Sequence, residues 1–71
     1  MTKRMIGNIE KMKNYVVNDL VAIYHYPENE AIQMMQRSAF HKMLESDPAY
    51  VFHYNVEYWA KDIEEEYKKA V

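Results

Sequence analysis

The sequence predicts an all-α domain: a small three-helix bundle, with a short fourth helical turn accommodated at about residues 48–53. Three observations lead there. Apolar residues recur at helical spacing in three stretches of the chain, and prolines at positions 27 and 48 divide those stretches. The chain has 71 residues and no cysteine, so disulfides and thiolate zinc sites are excluded as staples, leaving helix packing or self-association to make up for a thin core. A composition of 49% hydrophobic and 28% charged residues is that of an ordinary globular domain and too apolar for a disordered chain.

The first helix is expected at about residues 5–25, because Met5, Ile9, Met12, Val16, Leu20 and Ile23 share one arc at 3.6 residues per turn. Ile6, Val17 and Tyr24 widen that arc, while Glu10, Lys11, Asn14, Asn18 and His25 lie opposite. Gly7 weakens the first turn, and Asn8 is placed to cap the helix if it starts later. Pro27 closes this helix and opens the next, since proline disfavours α geometry in the residue before it and suits the first helical position itself. Glu28 and Glu30 complement the dipole there. So short a connection places the two helices side by side. The second helix is expected at about 28–45, burying Ile32, Met35, Ala39 and Met43 with Phe40 and Leu44 beside them.

Asp47 and Pro48 repeat the device as N-cap and first helical residue. The stretch YVFHYNVEYW, residues 50–59, then reads two ways. At period two, Phe52, Tyr54, Val56 and Tyr58 alternate with polar residues like a strand, but a lone strand has no partner here. At period 3.6, Phe52, Val56, Trp59, Ile63, Tyr67 and Ala70 align, and the pattern continues through residues that favour helix. Helix is the reading adopted, over about residues 56–69. It either runs unbroken from Pro48 or restarts at Asn55, a favoured N-cap, with Tyr54 packing on Trp59 as a hydrophobic staple.

Residues 38–66, SAFHKMLESDPAYVFHYNVEYWAKDIEEE, resemble a pattern in small bacterial helical proteins of the kind encoded near toxin and antitoxin genes. Ser38, Leu44, Glu45, Tyr58 and Glu64 carry the resemblance, with His41 at the position of an aromatic. It implies a regulatory or partner-binding role and no catalytic residue.

The chemistry-bearing residues are few. His41 with Glu45 and His53 with Glu57 have i, i+4 spacing, which suits two metal ligands each but equally an ordinary surface pair; no metal or cofactor is expected. Hydroxyls other than tyrosine are confined to Thr2, Ser38 and Ser46, with no glycine-rich turn to form an oxyanion or phosphate cradle. The acids at 64–66 read as a solvated face, and so short a helical chain leaves little room for a water-excluding pocket. An enzyme is not expected.

A net charge of −2 gives no general attraction to phosphates or acidic membranes. No apolar run reaches the roughly 20 residues of a spanning helix, and Asn8, Glu10, Lys11 and Lys13 interrupt what would be a leader after Lys3 and Arg4. The expected setting is therefore the cytoplasm of a bacterium.

What remains is aromatic surface. Tyr54 and Tyr58 fall off the apolar side of the last helix with Val51 nearby, Tyr15 falls off the first helix's arc, and Met34 off the second's. Exposed Tyr and Met are enriched at interfaces, although tyrosines lying flat over a thin core would give the same pattern. The expectation is a non-enzymatic interaction or regulatory module binding a protein partner or a second copy of itself through Tyr54, Tyr58, Val51, Tyr15 and Met34. The alternative is a helix-turn-helix DNA-binding regulator. It is disfavoured because the last helix would be the recognition helix, and from Val56 to Glu66 it sets Glu57, Asp62, Glu64, Glu65 and Glu66 against Lys61 alone.

Overall fold

A computed structural model describes residues 3–70, with the side chains of 8–69. The described chain is all-α, with five helices and no strand: α1 (Lys3–Ala22), α2 (Glu28–Gln36), α3 (Ala39–Ser46), α4 (Pro48–Phe52) and α5 (Val56–Ala70). α1 and α5 pack on each other and α2 packs on both, while α3 and α4 fold together and α3 also meets α2 and α5. The principal extents are 36 × 20 × 18 Å. The long dimension is close to the roughly 30 Å of a helix as long as α1.

Of the arc expected of it α1 buries Ile9, Met12, Val16, Val17 and Leu20, the expected places of Met5 and Ile6 lying outside the described side chains, and the helix is already running at Asn8, which therefore does not cap it. It ends earlier than expected, at Ala22. His25 takes φ 63° and the amide of Tyr26 donates to the carbonyl of Leu20 at 3.2 Å, so the chain reverses before Pro27 can act as the terminator. Ile23 is consequently exposed instead of completing the core. The left-handed region costs a non-glycine residue about 1–2 kcal/mol, and histidine is among the residue types found there more often.

The helix expected over 28–45 is two helices. Ser38 is extended (φ −81°, ψ 158°), so the ladder stops at Gln36 and restarts at Ala39. The buried Ser38 hydroxyl serves both ends: it donates to the Met35 carbonyl at 2.6 Å and accepts from the His41 amide at 3.3 Å. Arg37 and Ser38, outside both helices, turn α3 onto a new face. The buried set is therefore Ala31, Met34, Met35, Phe40 and Leu44, with Ala39 exposed and Ile32 and Met43 half-buried.

From Asp47 on, the local signals hold. The Asp47 carboxylate accepts from the Tyr50 amide at 3.3 Å with Pro48 at the helix start, and the Asn55 side chain accepts from the Tyr58 amide at 2.8 Å. The last helix thus restarts at Asn55 and does not run unbroken from Pro48. α5 buries Trp59, Ala60 and Ile63, half-buries Val56 and Tyr67, and places Lys68 and Lys69 in the last turn, where the dipole favours them. Phe52, expected inside, is exposed, because the short α4 turns Val51 inward in its place. The expected place of Ala70 in the stripe lies outside the described side chains.

Two bonds brace α5 against the middle of the chain. The Tyr67 hydroxyl donates to Glu30 Oε1 at 2.7 Å, which is the leading cause holding its phenol protonated above the ordinary range. The Glu66 carboxylate accepts from the Ala39 amide at 3.2 and 3.3 Å, neutralising a free donor and the positive dipole end at the start of α3. Among the described residues no helix is long and apolar enough to cross a membrane.

Candidate functional site

Trp59 organises the surface that the sequence singles out. Its buried indole N–H donates to the Val51 carbonyl at 2.9 Å, fastening α4 to α5. Phe40 of α3 packs against the ring from the interior, with centroids 5.4 Å apart. From outside, Tyr54 meets it edge-on at 5.8 Å and Tyr58 at 4.9 Å. The Tyr54 contact is the staple of an α5 that begins at Val56, joining the residue before the N-cap to the fourth helical residue.

The tyrosines also hold one another. Tyr54 and Tyr58 stack with centroids 4.5 Å apart and planes 19° from parallel, and Tyr50 meets Tyr54 at 5.5 Å and 63°. Polar interaction with the Tyr54 phenol is the main reason the Tyr50 hydroxyl is pushed above its ordinary range; the charges of Tyr58 and Asp47 act in the same direction more weakly. All three rings stay open to solvent, Tyr50 at 45%, Tyr54 at 37% and Tyr58 at 46% exposure, with Phe52 exposed on the same short helix as Tyr50. Aromatic pairs of this kind contribute about 0.5–1.5 kcal/mol beyond their area. The result is a ladder of partly exposed rings that rest on one another and on Trp59.

Of the five residues proposed from the sequence, Tyr54 and Tyr58 are brought together. Tyr15, 53% exposed, stands on α1 in a shallow groove facing Asn55 and Glu57, and no ring contact joins it to the ladder among the described residues. Val51 and Met34 are buried, at 0% and 4% exposure, and cannot form part of an exposed face. Val51 points inward while its carbonyl receives the Trp59 bond. Met34 is on the interior side of α2 because the break at Ser38 moves the buried face of that helix to Ala31, Met34 and Met35. Tyr50 is the member that sequence reasoning misses. The recurrence of tyrosine at 50, 54 and 58 is a visible signal for it.

Two other places bear on chemistry. A cleft of about 350 Å³ between α2 and α5 has Met34 and Ile63 in its lining, but its carboxylates are engaged: Glu30 with Tyr67 and Glu66 with the start of α3. His41 lies 3.6 Å from Glu45, an ordinary helical pair, while the break before Val56 puts His53 and Glu57 outside any common helix. Among the described residues no group of three or more His, Cys, Asp or Glu is placed to hold a metal, and no buried side-chain polar atom lacks a hydrogen-bond partner. No family model matches this chain, and neither a curated protein nor a solved structure proves significantly similar to it.

Proposed function

We propose that this chain is a small non-enzymatic helical module that binds another protein through the Tyr50–Tyr54–Tyr58 face. One observation carries the reading: three tyrosines remain 37–46% exposed while their rings are locked against each other and, through Trp59, against the core. Binding normally orders the side chains of an interface at an entropic cost of about 0.5–1.5 kcal/mol each. Rings already fixed in the free protein avoid most of that cost, and tyrosine supplies both apolar area and a hydroxyl. The buried polar groups, meanwhile, are already engaged: Ser38 and Trp59 join helices through their bonds to Met35 and Val51, and Glu64 pairs with Lys68 within α5.

The test is sedimentation and affinity capture with the wild type and a Tyr54→Ser, Tyr58→Lys double variant. The expected result is a partner or a second copy bound by the wild type and lost from a variant of unchanged helix content. If the wild type is monomeric and retains no partner, or if the variant retains the same one, the proposal fails.

A further inference from the structure

We infer that the tyrosine face receives a basic segment of another protein, one carrying clustered arginine side chains. The inference rests on the reading of that face as a binding surface and adds the chemistry of what binds. From Met43 to Ala60 the chain has no lysine or arginine, whereas Glu45, Asp47 and Glu57 fall within it. Glu45 is partnered by His41, but Asp47 and Glu57 form no salt bridge among the described residues. Even Lys61, one turn along α5 from Glu57, does not close on it.

Asp47 borders the ladder, and Glu57 lies in the groove beside the start of α5. Asp47 caps the helix that bears Tyr50, accepting from the Tyr50 amide at 3.3 Å, and its charge reaches the Tyr50 phenol. Glu57 precedes Tyr58 and faces Asp19 and Tyr15 across the groove between α1 and the start of α5. Asp19 is pushed above its ordinary range, first by burial and then by Glu57, so the groove holds negative charge that no resident cation offsets among the described residues.

Exposed aromatic faces bordered by unpaired carboxylates suit a guanidinium. It is planar, stacks on a tyrosine ring, and pairs with a carboxylate through the same group. The stacking of Tyr54 on Tyr58 at 4.5 Å closes the space between those rings, so nothing can insert between them and a ligand must lie across their open edges and faces. A second copy of this chain seated by the same face would oppose Asp47 and Glu57 to their own kind, which electrostatics disfavours.

The test uses a synthetic peptide alternating arginine and serine, with a glutamine-for-arginine counterpart, followed by titration calorimetry and by the fluorescence of Trp59. The arginine peptide should bind and the glutamine peptide should not. Binding should weaken about tenfold in an Asp47→Asn, Glu57→Gln variant, as expected for two partly screened ion pairs, and should weaken further with added salt. Both substitutions keep their polar oxygen, including the capping one. Glu65→Gln, at the far end of α5, should leave the affinity unchanged.

Equal affinity of wild type and the Asp47, Glu57 variant, or equal loss from Glu65→Gln, overturns the inference by placing attraction elsewhere. Absence of arginine-peptide binding, while the sedimentation experiment still finds a tyrosine-dependent partner, overturns it and leaves the interaction reading standing. Absence of both removes the two together.

Discussion

At the turn between α1 and α2 no side chain caps the incoming helix; the backbone closes the turn itself, through the Tyr26 amide on Leu20 and a positive φ at His25. At each later junction a short polar side chain, Ser38, Asp47 or Asn55, accepts from an amide three residues on. The helix before each junction differs in length. α1 has 20 residues and one long apolar face, so it is held by packing and tolerates a strained end. α2, α3 and α4 have 9, 8 and 5 residues, below the roughly 12–15 at which even favourable sequences form helix alone. α3 and α4 depend on their capped starts, and all three on the surface they dock against.

The largest way to break this contrast is Trp59→Ala. Trp59 contacts Phe40, Tyr50, Tyr54 and Tyr58 and bonds the Val51 carbonyl, so α3, α4 and α5 all lose their common support. Removing a buried tryptophan costs about 3–5 kcal/mol, a large share of the stability of so small a domain. Urea unfolding followed by circular dichroism should show a midpoint near zero denaturant. Trp59→Phe keeps most of the packing and loses the bond, and should cost about 1 kcal/mol.

Next in size is a pair of substitutions with opposite signs. Ser38→Ala removes the cap of α3 and the donor to Met35 in a buried site, and should destabilise by about 1–2 kcal/mol. His25→Gly relieves the left-handed backbone, and should stabilise by about 1 kcal/mol, less what glycine adds to the entropy of the unfolded chain. Thermal unfolding of the two variants should move the midpoint in opposite directions. The same direction for both would mean that the first turn is also held by a side chain.

Which of these junctions is legible in the sequence depends on how local each signal is. Asp47–Pro48 and Tyr54–Asn55–Trp59 are complete within a few residues, so the cap, the proline and the staple can be recognised from residue order alone. The break at Ser38 cannot, because neither Pro nor Gly marks it and one of its supports, Glu66, lies 27 residues from Ala39. Without that break the buried face is misplaced, which is why periodicity turns Met34 outward and leaves Phe40 and Leu44 only at the margin. Val51 and Phe52 are exchanged for a related reason: a five-residue helix cannot be phased from the long helix after it. Tyr54 and Tyr58 are legible as off-core positions, whereas their stacking depends on the restart at Asn55 and emerges only in three dimensions.

The smallest effect tests the place where the two halves meet, the groove joining Asp19 of α1 to Glu57 at the capped start of α5. Burial first, and Glu57 second, raise the Asp19 carboxyl above its ordinary 3.8. Well below that value it is protonated in both folded and unfolded chains and has no effect on the balance between them. As pH rises from there toward the raised folded value the unfolded chain gives up the proton first, so stability falls and stays lower at neutral pH. Asp19→Asn should therefore stabilise the protein at pH 7 by about a few tenths of a kcal/mol, since the site is partly open and screened, and the gain should vanish as pH approaches the ordinary carboxyl range. Glu57→Gln should recover a smaller part of the same gain, because it removes only the weaker of the two causes, and added salt should erase that part while sparing the part due to burial. Denaturant midpoints across that pH range would decide it: a gain from Glu57→Gln equal to that from Asp19→Asn would make repulsion the leading cause, and the groove a more strongly anionic place than burial alone requires.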